Sequence, residues 1–190
     1  EAAAKSGGLA AMKKAKSNGA DKPQAVILTG AQGDETHEAR LRGYRSAVEQ
    51  AGGTVLEVQY CDAQPDRAAA AMEAVMQKYP QGVDALLVTS DDMALAAIKC
   101  IWDNNSAAYQ KTVICGFDGN QAAVEALDRG ELTVDIAQQG YEMGYKAVEA
   151  ALDALEGKSV ESVIDSGSEI ITADNIDAYI ADCREKGLWS

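Results

Sequence analysis

The chain has 190 residues, 47% of them hydrophobic, which is enough to bury the core of one large domain or of one and a fraction. Its formal net charge of -13 at pH 7 excludes nucleic acid as an expected partner, because neutralising a phosphate backbone requires clustered lysines and arginines. The apolar runs are only a few residues long, far short of the roughly 20 that cross a bilayer. We therefore expect a globular protein.

Short apolar runs alternate with segments of helical periodicity through the first three quarters of the chain. Such regular alternation predicts successive βαβ units with right-handed crossovers around a parallel sheet. The predicted fold class is α/β, a doubly wound parallel sheet. The predicted strands cover 25–30, 54–60, 84–90, 112–118 and 132–138, and the predicted helices cover 36–51, 66–78, 91–104 and 120–129.

Both ends of the chain depart from this alternation. The first residues read as a helix with no strand before it, so we expect part of the domain to lie upstream, although EAAAK (1–5) also matches a designed helical spacer. Residues 141–156 carry a helical apolar stripe that ends at Gly157. The segment 158–175 is weakly patterned and leads to a last helix near 174–186.

The cysteines and the single histidine, His37, give no sign of a metal site. They lie at wide, irregular spacings, with no CxxC pair and no His-rich tract, so we expect neither a structural metal nor any other cofactor. Cys115 lies within an apolar strand pattern and is interpreted as a small core residue. A disulfide among the other three stays open. The four cysteines are Cys61, Cys100, Cys115 and Cys183.

Patterns typical of enzymes are also missing. The glycines of GAQGDET (30–36) follow a predicted strand but match neither the phosphate-loop nor the dinucleotide pattern. The chain has no GxSxG, and Ser166 lies in a weakly patterned segment. His37 has no acid or nucleophile at a spacing that would orient it. We therefore expect a protein without catalytic activity.

The carboxyl ends of the predicted strands carry polar side chains, which matters because ligands of doubly wound sheets collect there. Arg40 is either a solvated helix residue paired with Glu35 or Glu38, or a fork of donors aimed into the cleft. Asp91 is expected to be the N-cap of the helix that follows. The strand-end residues are Asp34, Arg40, Asp62, Ser90, Asp118 and Gln138.

Asp118 is the most unusual of these residues. It ends the apolar run VICGF and is followed at once by Gly119. Local sequence supports two interpretations equally, a turn acid before a glycine or a carboxylate that binds a ligand.

The strand-end motifs together resemble one family. EARLRGY (38–44), TSDDMALAAI (89–98) and the run from VICGFDG (113–119) to DIAQQGYEMG (135–144) are similar to the second half of a ribose-type periplasmic sugar-binding protein, the type I solute receptor of an ABC importer. The resemblance implies a Rossmann-like lobe over 1–138. It implies that 139–166 returns to an N-terminal lobe outside this chain, and that 167–190 is the C-terminal return segment and helix.

The resemblance also implies roles for single residues. Arg40, Asp118 and Gln138 stand where the family binds sugar hydroxyls, and Asp34 stands at a position used by hexose-binding members. Ser90 replaces an asparagine common in the family, and Pro65 replaces an aromatic. Phe117, an aromatic at the strand end, completes the expected ligand-binding set.

The resemblance finally implies a function. We expect a chain that binds a monosaccharide or polyol and docks on the permease of an ABC importer. Its location would be extracytoplasmic, with the signal segment outside this chain. The effector-binding domain of a LacI-type transcription regulator, built on the same two lobes, is the alternative. If the helix at 141–156 lacks its usual cover, we expect the chain to self-associate through it.

Overall fold

The computed structural model describes residues 1–189; Ser190, the last residue of the predicted return segment, lies outside them. Helices and strands alternate along the chain. The strands are β1 (Gln24–Thr29), β2 (Thr54–Tyr60), β3 (Ala85–Val88), β4 (Val113–Cys115), β5 (Asp135–Gln138) and β6 (Ser168–Ile171). The helices are α1 (Ala2–Ser17), α2 (Glu35–Gln50), α3 (Pro65–Lys78), α4 (Asp91–Asp103), α5 (Gln121–Asp128), α6 (Gly140–Leu155) and α7 (Ile176–Glu185).

The first four strands form a parallel sheet in the order β2-β1-β3-β4. Two isolated parallel bridges, Cys115 to Val134 and Asp118 to Ala137, place β5 beside β4, and β6 then pairs with β5 in the antiparallel sense. Because the chain leaves β1 toward β2 and later returns to the other side of β1, the strand order reverses there. The carboxyl ends of β1, β3, β4 and β5 consequently meet at one edge, where ligands of such sheets bind.

The doubly wound α/β fold predicted from the sequence is confirmed. Most elements begin and end within two residues of their predicted bounds, but β4 stops at Cys115 because Gly116 and the two residues after it leave the regular ladder. Strand β6 was not predicted. It is a half-buried edge strand of four residues, too short and too mixed in polarity to give a clear alternation.

Helix α1 packs as an integral part of this domain. Ala4 is fully buried, and a side chain at Gly43 would lie 2.8 Å from its Cβ atom. A Cβ at Gly7 would lie 2.3 Å from the Ile136 side chain, so glycine is needed for α1 to approach the sheet. Glu1 forms an ion pair with Arg42 at 2.9 Å. Residues 1–5 therefore pack against the domain and do not extend from it as a free spacer would.

The hydrophobic core has two parts, one on each face of the sheet. One face packs against α1 and α2, and the other against α3, α4, α5 and α7. The open question about disulfides is answered, since Cys61, Cys100, Cys115 and Cys183 are all free and buried. Cys115 is a core residue, as expected.

Helix α6 is the exception to this packing. None of its residues is buried, and its apolar side chains lie on the surface. No helix within residues 1–189 is long and apolar enough to span a membrane. The exposed apolar side chains of α6 are Tyr141, Met143, Tyr145, Val148, Leu152 and Leu155.

Candidate functional site

Three side chains predicted to bind ligand meet at the carboxyl edge of the sheet. Arg40 Nη1 lies 3.1 Å from Asp118 Oδ1, and Gln138 Nε2 donates to the same oxygen at 2.6 Å. The Arg40 guanidinium also lies over the ring of Phe117, 3.9 Å from its centroid. Arg40 comes from α2, whereas Phe117 and Asp118 follow β4 and Gln138 ends β5. We name these four residues the polar cluster.

Arg40 is also held by a hydrogen bond to the backbone of Thr89, the residue after β3. Its Nη1 atom donates to the Thr89 carbonyl oxygen at 2.7 Å. Arg40 pairs with Asp118 and not with Glu35 or Glu38, since Glu35 binds Arg42 and Glu38 accepts from the Gly33 amide. Of the Arg40 side chain 11% is exposed, compared with 25% of Asp118. The guanidinium is thus largely enclosed and keeps only a small part of its surface open to solvent.

The turn that carries Asp118 has unusual backbone geometry. Asp118 has a φ of 133° and Gly119 one of 79°. A positive φ is rare for a residue other than glycine, and such strained residues cluster at ligand-binding sites. The turn is held to β5, since the Asp118 amide donates to Ile136 O at 2.9 Å and the Gln138 amide donates to Asp118 O at 3.0 Å. Tertiary bonds therefore maintain a conformation that the local sequence disfavours.

Electrostatics sets the state of the Asp118 carboxylate. Burial raises the pKa of Asp118, and the Arg40 charge and the Gln138 hydrogen bond oppose that rise without cancelling it. Asp118 consequently becomes protonated more readily on acidification than an exposed aspartate.

His37 and Thr89 form a second layer under the cluster. His37 Nδ1 lies 2.8 Å from Thr89 Oγ1, and burial, together with the nearby Arg40 charge, lowers the pKa of His37. Sequence reasoning missed Thr89, whose only signal was its place at a strand end. A histidine beside a hydroxyl has the form of a nucleophile and its base. Thr89 is fully buried, however, so its hydroxyl does not face a substrate.

The other predicted site residues do not join the polar cluster. Asp34 is the exposed N-cap of α2, and its Oδ1 atom accepts hydrogen bonds from the amides of Thr36 and His37. Ser90 is the N-cap of α4 without a side-chain capping bond. The role assigned to Asp91 is therefore wrong. Asp91 is the first residue of α4 and is fully buried, and its Oδ2 atom accepts from the Asn120 amide at 2.7 Å.

A separate concavity lies elsewhere on residues 1–189. It has a volume of about 700 Å³, is lined by residues such as Lys14, Trp102 and Lys111, and includes no residue of the polar cluster. Residues 1–189 contain no group of three or more metal-ligating side chains. The polar cluster therefore remains the candidate site. It offers a planar fork of donors, a carboxylate acceptor, an amide and an aromatic face, a set suited to hydroxyl groups.

Comparison with known proteins identifies the family. The family described as "Periplasmic binding protein domain" matches residues 1–159. The chain belongs to this family. The ribose import binding protein RbsB of Bacillus subtilis (strain 168) is 32% identical over 145 residues, which cover 76% of this chain and 46% of that protein. RbsB of Haemophilus influenzae is 28% identical over 152 residues, or 80% of this chain and 50% of that protein.

Solved structures agree on the fold. A periplasmic ribose ABC transporter protein from Conexibacter woesei aligns with a TM-score of 0.81 at 26% identity, covering 94% of this chain and 60% of that one. A periplasmic solute-binding protein from Actinobacillus succinogenes with bound D-allose aligns with a TM-score of 0.83 at 21% identity, covering 94% and 62%. The chain thus spans about half the length of the curated relatives it matches.

Proposed function

We propose that this chain is a ligand-binding lobe of the solute receptor of a bacterial ABC sugar importer, and that it binds a monosaccharide or polyol without catalysis. The observation that carries the proposal is the convergence of Arg40, Asp118 and Gln138 on one point. Neutral sugars present vicinal hydroxyls, each of which both donates and accepts. A carboxylate that already accepts from two side chains can exchange those bonds for bonds to hydroxyls at little cost in desolvation.

The relatives support this class of ligand. Their names include ribose import binding proteins and D-allose-binding proteins, and one aligned structure from Bacillus halodurans contains myo-inositol. The same names favour a transport receptor over the effector-binding domain of a LacI-type regulator. An importer receptor acts outside the cytoplasm, so we propose an extracytoplasmic location and a permease as the protein partner. With a net charge of -13, no nucleic-acid partner is proposed.

We further propose how the chain is divided. Residues 1–138 form the ligand-binding lobe, 139–166 dock on a second lobe, and 167–190 return to the first. In support, α6 has no buried residue, whereas β6 and α7 pack back against β5 and α5. The contacts of a single lobe are expected to give weak binding, with a dissociation constant of about 1 mM, or about 4 kcal/mol.

The test is a titration of the ¹⁵N-labelled chain with pentoses, hexoses and inositols, followed by NMR. At least one compound is expected to shift the amides of residues 116–120 and 138. Asp118→Ala should abolish these shifts, and Asp103→Ala, which removes an exposed ion-paired carboxylate on α4, should leave them unchanged. Shifts that persist in Asp118→Ala, or no shift with any of these compounds, would contradict the proposal.

A further inference from the structure

Two carboxylates outside the polar cluster lie directly beneath the turn of residues 116–120, which we name the ligand turn. Asp91, the first residue of α4, and Asp135, the first residue of β5, are both fully buried. A Cβ added to Gly116 would lie 2.6 Å from Asp91 Oδ1 and 3.2 Å from Asp135 Oδ1. Both acids therefore converge on the same small space beside β4, which glycine leaves open.

The hydrogen bonds of the two acids are incomplete. Asp91 Oδ2 accepts from the Asn120 amide at 2.7 Å and so joins α4 to the ligand turn. Within residues 1–189, Asp91 Oδ1 and both Asp135 oxygens have no donor, and neither acid has an ion-pair partner. An ionised carboxylate buried in this way is strongly disfavoured, and two of them side by side more so. One proton between the acids would turn an orphaned acceptor into a donor.

Within the described part of the chain, no positively charged side chain pairs with either of the two acids. Burial raises the pKa of both Asp91 and Asp135, and the Asp91 charge raises that of Asp135 further. Arg40 is committed to Asp118 and Thr89. The titratable groups that face the pair are Tyr44 from α2, Cys115 from β4, Asp118 from the ligand turn and Tyr179 from α7.

We propose that Asp135 stays protonated and donates to Asp91 Oδ1, so that the two acids act as positioning residues which hold the turn of Asp118 to Asn120 in place. The hydrogen-bonded path runs from the Asp135 hydroxyl through the Asp91 carboxylate to the Asn120 amide. It connects β5 and α4 to the turn whose strained backbone presents Asp118. The effect on ligand affinity rests on the proposed sugar-binding function, whereas the protonation state and the hold on the turn do not.

The direction of the pH effect follows from the proton count. In the unfolded chain Asp135 ionises above its ordinary pKa of 3.8, whereas in the fold it keeps its proton. Above that pH the folded state therefore binds more protons than the unfolded chain does. The contribution of Asp135 to the free energy of unfolding consequently falls as the pH rises. Once Asp135 itself ionises against Asp91, the turn loosens. Asp135→Asn donates a hydrogen bond at every pH, so it should remove this part of the pH dependence.

The direct test is the pH titration of the aspartate side-chain carboxyl carbons by ¹³C NMR on the unliganded chain. At neutral pH the Asp135 resonance is expected at the position of a neutral acid. A carboxylate position for both Asp91 and Asp135 would overturn the proposal. Because this measurement uses the wild-type chain, it does not depend on any variant folding.

The positioning role is tested by hydrogen exchange of the Asn120 amide. Asp135→Asn should keep the wild-type protection of this amide. Asp135→Leu, which fills the space but cannot donate, should lower that protection at least about tenfold. The control Asp103→Asn should leave it unchanged. Equal protection in the Asn and Leu variants would overturn the role. If Asp135→Leu does not fold, loss of the wild-type protection in Asp135→Asn would overturn the positioning role instead.

A third measurement separates this proposal from the proposed function. Sugar affinity of the wild type, followed from about pH 5 to about pH 10, is expected to fall at the alkaline end, and Asp135→Asn should flatten that fall. An identical alkaline fall in both proteins would overturn the link to affinity. A wild-type chain that binds no sugar, but whose Asp135 is neutral, would contradict the sugar-binding function while supporting the acid pair.

Discussion

The ligand turn at residues 116–120 and helix α6 are opposites within one small chain. The turn is held by β5, by α4 and by Arg40, so that even an aspartate with a φ of 133° keeps its place. Helix α6 is regular and amphipathic, yet none of its residues is buried. Local regularity and tertiary support are therefore independent in this chain. The irregular segment has its contacts within the chain, and the regular one presents its apolar side chains to the surface.

The largest expected effect comes from a substitution in β5, the strand that holds the ligand turn. Ile136 of β5 is fully buried against Gly7 of α1, so Ile136→Ala should cost about 2–5 kcal/mol of unfolding free energy through lost burial and a residual cavity. The matched change on α6, Leu155→Ala, should lie within about 0.5 kcal/mol, because Leu155 is 84% exposed. Urea denaturation measures both. Comparable losses for the two variants would contradict the contrast.

A smaller effect concerns the geometry of the polar cluster. Arg40→Lys keeps the charge but loses the planar fork that reaches Asp118, Thr89 and Phe117 together, so sugar affinity should fall about tenfold, or about 1.4 kcal/mol. Arg42→Lys, two residues along the same helix and exposed, should have no effect on affinity. NMR titration of both variants provides the measurement. Equal affinities in the two variants would show that the fork is not used.

The smallest effect tests whether α6 needs cover. We predict that the chain self-associates at high concentration through the apolar side chains of α6, and that Leu152→Lys weakens this association by about 1 kcal/mol, roughly fivefold. Gln50→Lys, which adds the same charge to an exposed site on α2, should have no such effect. Sedimentation equilibrium measures both. A wild-type chain that stays monomeric at high concentration would show that α6 tolerates exposure.

Much of the fold was predictable because buried strands and amphipathic helices leave periodic patterns. The parallel strands and the long helices were correct to within a few residues. Strand β6 left no such pattern, since its four residues are an antiparallel edge stabilised by pairing with β5. Sequence reasoning also missed Asp135, which it treated as an ordinary strand residue, and misassigned Asp91 as a cap. Nothing in the sequence around either position indicates that the two carboxylates both lie against Gly116.

The sequence by itself determined the α/β class and the edge of the sheet at which to look, because the succession of strands and helices along the chain is read from local patterns. It also indicated Arg40, Asp118 and Gln138 as candidates, through the resemblance of their motifs to a known family. Only the tertiary structure decided that these three meet, that Asp34 and Ser90 lie at helix N-termini outside the polar cluster, and that Asp91 and Asp135 are buried together. Such outcomes depend on distances between elements far apart in the chain. Burial and the neighbourhood of other charges arise only when the elements pack.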